Sequence, residues 1–166
     1  MNGLCAKLVF ATKQTYSGAL GGVAGGNAKC QAAAATAGLS GTYLAWLSDA
    51  QGNSPAANFT RSQTPYVLSN GSIIAANWSA LLASATVPHT SDLGLDEYGF
   101  WPSGLRVWTG TNSGGLPQNL IAFNCDNWSS TSGNGYTGEW GSINASWTQA
   151  GGMPCSSLLP LYCFEQ

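Results

Sequence analysis

The sequence predicts one α+β domain: two helices, small antiparallel sheets and a larger share of loop than usual. Three observations carry this. At 166 residues the chain is long enough for one core and short for two. Runs that alternate apolar and polar residues recur from residue 7 to residue 165, while only two stretches have helix-forming chemistry. Five cysteines are spread along the chain with no CxxC pair and a single histidine, His89, which reads as an oxidised framework and not as a metal site.

Residues 7–14, KLVFATKQ, alternate as a strand with Leu8 and Phe10 on one face. A Gly-rich run leads into KCQAAAATAG, where alanines favour a helix and Gly38 is a natural stop, so a helix is expected over residues 22–37 with Cys30 buried. Residues 42–48, TYLAWLS, form a second strand with Leu44 and Trp46 on one face, and residues 49–61 read as a turn-rich loop. Asn70-Gly71 is a strong hairpin signal joining residues 65–68 to 72–75. Asn77 caps a short helix over residues 78–83. Periodicity then vanishes, and residues 84–105 read as a long loop. Residues 106–111, RVWTGT, form a third strand with Val107 and Thr109 on one face and Trp108 on the other. Residues 122–129 straddle a fourth, and residues 159–165 close the chain as a fifth. The Gly/Ser/Asn-rich span containing GEWGS and ASWT reads as a long polar loop held by cysteines. Cys5 is the odd thiol, and residues 1–6 read as the end of an upstream segment of a longer exported protein.

Charged residues are only 7% of the chain, against roughly 25% in average soluble domains. Ser, Thr, Asn, Gln and Gly must therefore cover the surface, which suits a protein that works outside the cytoplasm. The net charge is -2, and the five basic residues, Lys7, Lys13, Lys29, Arg61 and Arg106, are scattered. Nucleic acid and heparin-like polymers need clustered cations and are poor partners for such a chain. No apolar run approaches the roughly 18 residues of a membrane span, so membrane insertion is not expected.

His89 has neither a nucleophile elbow nor a second histidine near it and reads as a packing residue, so no catalytic residue is assigned. Asp92, Asp96 and Glu97 form the densest acidic group in the chain. They would serve glycoside hydrolysis if two carboxyl groups were held roughly 5 to 9.5 Å apart; turn formation and bonds to backbone amides explain them at least as well. Calcium is the one metal that such oxygens would suit, but no DxDxDG loop is present and no cofactor is expected. Trp46, Trp108 and Trp128 lie beside aliphatic residues and belong to the core. Trp101 in FWPSG and Trp140 in GEWGS lie among Gly, Pro and Ser, where exposed rings beside Asn and Asp side chains suit recognition of a sugar or a protein surface, or else plug the loops onto the scaffold. Sequons occur at Asn58, Asn70, Asn77, Asn127 and Asn144, in a chain so rich in Asn, Ser and Thr that chance matches are expected.

A cysteine on a helix in AKCQ, a following strand in AWLSD, long loops, a WTGT strand, NCDNW and a closing cysteine in LYCFEQ together resemble the C-type lectin-like fold. Within it, the motifs VFATKQTYSGALGG, GNAKCQAAAATAGLSGTYLAWLSD, FTRSQTPYVLSNGSIIAANW, LDEYG, VWTGT and LYCFEQ are similar to the bacterial endostatin-like surface-protein family, over most of residues 8–166. The resemblance implies disulfides Cys30–Cys163 and Cys125–Cys155. It also shows a departure: LPQN and CDNW stand where calcium-dependent sugar lectins carry EPN or QPD and WND, so that kind of calcium site is not expected. Arg61 and Arg106 do not supply a heparin surface.

The expected function is therefore non-enzymatic: an extracellular or bacterial cell-surface recognition and adhesion module that binds a glycan or a protein. The expected binding face is the long-loop side, formed by Asp96, Glu97, Trp101, Asn112, Asn119, Asp126 and Trp140. Two other classes stay open, a structural cap that trimerises through an upstream stalk, and a hydrolase built on Asp92, Asp96 and Glu97.

Overall fold

The computed structural model describes residues 5–118 and 122–166. Its first strand, β1 (Lys7–Ala11), has no polar face: Val9 and Ala11 enter one apolar cluster and Phe10 enters another. A strand covered on both sides belongs in the middle of a sheet. The last strand, β8 (Tyr162–Glu165), pairs antiparallel with β1, setting Phe10 opposite Cys163. On its other side β8 pairs antiparallel with β2 (Tyr43–Ala45). β3 (Tyr66–Val67) runs parallel to β1, and β4 (Ile73–Ala75) returns beside it, giving the order β2-β8-β1-β3-β4. The parallel pair corrects the expectation of purely antiparallel sheets. The chain between β1 and β3 contains a whole helix and a strand, which is ample for a parallel crossover.

That helix, α1 (Gly22–Thr36), buries Val23, Cys30 and Ala34. Asn27 and Gln31 stand one turn apart on it and use their side-chain oxygens to accept the N–H groups of Ala45 and Tyr43, at 2.9 Å each. β2 lies at the sheet edge, so these bonds occupy amides that an edge strand would otherwise present to another chain. The loop expected over residues 49–61 contains a short helix, α2 (Pro55–Asn58), with Ser54 as N-cap and proline at its first position, a start signal that the sequence reading passed over. α3 (Trp78–Leu82) begins at Asn77, whose side chain accepts the Ala80 N–H as expected of a cap.

A second sheet corrects the reading of the late polar span as loop. β5 (Arg106–Trp108), β6 (Asn134–Glu139) and β7 (Gly151–Pro154) form an antiparallel sheet in that order. β6 reads NGYTGE and lacks apolar alternation because its glycines leave room for neighbouring groups. A Cβ at Gly135 would stand 2.6 Å from the Cys125 sulfur and 2.8 Å from the Trp108 ring.

The strand expected across residues 122–129 is absent. Cys125–Trp128 instead forms one helical turn in which all four residues have positive φ, from 52° to 63°. Such a turn costs roughly 1–2 kcal/mol per residue for non-glycine side chains. Several contacts offset the cost: the Asn124 side chain accepts the Asn127 N–H, Trp128 is fully buried with its indole N–H on the Ser48 carbonyl, and Cys125 is bridged to Cys155. The second bridge, Cys30–Cys163, ties α1 to β8. Both are the pairs that the resemblance implied, and Cys5 is an exposed free thiol. Among the described residues the architecture is thus α+β, with the 15-residue α1, three further helical segments of four or five residues, two small sheets and two disulfides. No helix among the described residues is long and apolar enough to cross a membrane.

Trp46, Trp108 and Trp128 are buried as expected, and Trp147 joins them. Beside Trp147, at 5.2 Å between ring centroids, lies His89. Its Nε2 donates to the Leu81 carbonyl, while Nδ1 is buried without a partner. Burial lowers the pKa of the ring from 6.5, and the bond to Leu81 opposes that shift only in part. The unfolded chain therefore takes up the proton first. Stability is complete above about 6.5 and falls as pH drops through 6.5 toward the folded pKa. His89→Phe should flatten this acid limb in a series of melting curves from pH 7.5 to 4.5 (about three pH units); an unchanged limb would show that His89 does not set it.

Candidate functional site

The site is built where residues 93–101 turn away from the core. Leu93 and Leu95 are buried, and the Leu95 carbonyl accepts the Ala11 N–H at the end of β1. The next residue is therefore held against the sheet. Asp96 is 2% exposed, and its Oδ1 accepts the N–H groups of Tyr98 and Phe100, both at 2.9 Å. Those bonds fold residues 96–100 into a tight loop and leave the adjoining side chains outside it. Tyr98 is 44% exposed, Phe100 67% and Trp101 62%. Three large rings within four residues of a braced loop are thus exposed together, unlike the isolated apolar residues that any surface carries.

Trp101 stacks on Trp140 with ring centroids 5.4 Å apart and planes inclined by 33°. The half-buried Trp140 donates its indole N–H to the Gly104 carbonyl and is locked in place. Gly94 lies under the pair; a Cβ there would come within 2.5 Å of both rings. The ridge thus depends on a glycine and on a partner tryptophan brought from the end of β6.

Two open grooves flank the ridge. One, of about 480 Å³, runs between α1 and the loop and is lined by Tyr16, Ala33, Thr36, Glu97 and Tyr98. The other, of about 330 Å³, lies under Phe100, Trp101 and Pro102 with Asp96 in its wall. Lys13 lines both, its ammonium 5.3 Å from the centre of the Tyr98 ring. Glu97 is 8% exposed, and its Oε2 accepts the Lys13 backbone N–H at 2.8 Å. Among the described residues no group bonds Asp96 Oδ2 or Glu97 Oε1, and neither atom is sealed from water. Each carboxylate thus spends one oxygen on the backbone and keeps the other unbonded, and each residue lines one of the grooves. Burial, and after it the Glu97 charge, raises the Tyr16 phenol above its ordinary value, so it remains a hydroxyl donor.

The structure brings Asp96, Glu97, Trp101 and Trp140 together and sets Asn112 and Asp126 elsewhere. Asp126 is exposed on the left-handed turn, whose Trp128 carbonyl accepts the Gly21 N–H at the start of α1. The wide groove lies at the other end of that helix, along Ala32, Ala33 and Thr36, about 18 Å away at the rise of an α-helix. Asn112 belongs to the turn's end: Thr111 beside it bonds Ser48, whose carbonyl holds Trp128, and the Asn112 side chain accepts Gly114 and Leu116 N–H groups within its own loop. Asn119 lies outside the described residues. Asp92 is half-buried and accepts the Gly94 N–H. Lys13, Tyr98 and Phe100 were missed; the run LDEYGFWP held the signal, five aromatic or acidic side chains crowded into a segment without periodicity. Among the described residues no three His, Cys, Asp or Glu side chains converge on a metal position. No protein-family model matches the chain, and no curated protein matches it.

Proposed function

We propose that this protein is a non-enzymatic recognition module of the extracellular space or bacterial cell surface, and that it attaches to a glycan or protein through the aromatic ridge Tyr98–Phe100–Trp101. The observation that carries the reading is the exposure of these rings on a loop whose backbone is braced by buried Asp96. A rigid aromatic surface loses little conformational entropy on binding, which is what a recognition surface requires. Two disulfides and a charge-poor surface support an oxidising compartment. The reading treats the scaffold as C-type lectin-like, of the endostatin-like surface kind, with the ligand face on the long-loop side.

The arrangement of the carboxylates favours binding over hydrolysis. A glycosidase sets two carboxyl groups across one bond, whereas Asp96 and Glu97 open into different grooves on either side of Lys13. Trp101→Ala is the direct test, read on an array of glycans and matrix proteins with and without chelator. It should weaken attachment by roughly 30-fold, the effect of deleting an aromatic anchor worth about 2 kcal/mol. The melting temperature should move by no more than about 2 °C, because the ring stands at the surface. Attachment that survives this substitution removes the ridge from the binding face, and a large thermal shift would make Trp101 structural.

A further inference from the structure

We infer that the ligand is a linear, uncharged oligosaccharide gripped in mid-chain, lying across Lys13 from one groove into the other; this rests on the recognition reading above. Three features of the site converge on it.

The first is shape. Neither groove is an enclosed pocket, and each is at the small end of the roughly 300–1,000 Å³ typical of ligand sites. They share Lys13, and the consecutive residues Asp96 and Glu97 serve one groove each. A terminal sugar would use half of this arrangement, whereas a chain several units long would use both halves.

The second is charge. Lys13 is exposed, and its ammonium sits over the Tyr98 ring without an ion pair; the one ion pair among the described residues is Arg106–Glu139, elsewhere on the molecule. Facing the same ligand path are the carboxylates of Asp96 and Glu97. A polyanion would meet two negative groups, and a polycation would meet Lys13. Hydroxyl groups satisfy both signs, donating to Asp96 Oδ2 and Glu97 Oε1 and accepting from the ammonium.

The third is the crest between the grooves. Tyr98, Phe100 and Trp101 present ring surface on both sides of Lys13, with Tyr98 lining the α1 groove and Phe100 and Trp101 the other. Sugar rings carry apolar C–H faces between their hydroxyl edges. A chain of them matches alternating aromatic surface and acceptor oxygens better than a protein loop would, because few side chains donate at such regular spacing.

The test is titration of the intact protein, followed by tryptophan fluorescence and calorimetry, with cello- and N-acetylchito-oligosaccharides of one to six units. Matched uronate and glucosamine series, and the Trp101-dependent protein hits from the array, complete the set. Joining the two grooves through one ligand should raise affinity on the order of 100-fold between one and four units, then level off. Lys13→Met, which keeps the stem and the fold, should cut the gain from the longer chains by more than it weakens the binding of single units, because only a chain that crosses Lys13 uses both grooves. Three results would overturn the inference while leaving the recognition function standing: equal affinity for one unit and four, preference for a charged series, or Trp101-dependent binding to proteins alone. Loss of Trp101 dependence for every partner would instead bring down the recognition reading itself.

Discussion

Replacing Cys30 and Cys163 together by alanine should lower the free energy of unfolding by about 5 kcal/mol, the loop-closure value for cysteines this far apart. The bridge spans a sequence separation of 133 and joins α1 to the central part of the five-stranded sheet. A loss of that size is comparable with the whole stability of many domains, roughly 5–15 kcal/mol, so the variant should unfold at much lower denaturant. Cys125 and Cys155 enclose a shorter loop, with a separation of 30. Their removal should cost less, about 3–4 kcal/mol on the same model, and release of the left-handed turn should offset part of that. Urea titrations of the two double variants, each with its other bridge intact, check the order. A larger loss for Cys125 and Cys155 would mean that the turn, and not chain entropy, is what that bridge maintains.

Trp147→Ala should cost about 3–5 kcal/mol, the range for deleting a large buried aromatic. The ring is fully buried, with centroids 4.7 Å from Trp46, 5.5 Å from Tyr162 and 6.3 Å from Phe164. Its indole N–H bonds the buried Ser84 hydroxyl, which the substitution leaves unpartnered. Trp147→Phe keeps much of the packing and should lose about half as much, the remainder being the hydrogen bond and the missing ring volume. Thermal unfolding separates the three proteins. A loss below about 1 kcal/mol in the alanine variant would show that the surrounding rings collapse into the space.

Trp147 also shows where sequence reading reaches its limit. It sits in ASWT, among small polar residues, and nothing local distinguishes it from the surface tryptophan in GEWGS. The left-handed turn is similar: NCDNW has the Asn and Asp residues that tolerate positive φ, but its extended reading fails only because the Cys125–Cys155 bridge and the Ser48–Trp128 contact bend it. β6 and β7 were illegible for a related reason, since glycines that admit Cys125 and Trp108 at Gly135, the Trp147 backbone at Gly138 and Phe123 at Gly152 erase the alternation that identifies strands.

Local chemistry determined a good deal of this protein. Strands β1, β2, β5 and β8, helix α1 with Cys30 inward, the Asn70-Gly71 hairpin and the Asn77 cap all follow from residue periodicity, turn preference and side-chain hydrogen bonding over a few residues. The prominence of Trp101 and of the Asp96–Glu97 pair was also visible, because they stand out in a charge-poor chain. Tertiary structure decided which of the polar residues share a face. Asp96, Glu97, Trp101 and Trp140 converge because Leu93 and Leu95 anchor the loop in the core and β6 carries Trp140 to it. The start of α1 instead bonds the left-handed turn that carries Asp126, and Asn112 is tied to that turn through Thr111 and Ser48. Lys13 joins the first group only because β1 ends beside Leu95. Those relations join residues far apart in sequence, Trp101 with Trp140 and, at a separation of 84, Lys13 with Glu97, and no periodicity within a segment encodes them.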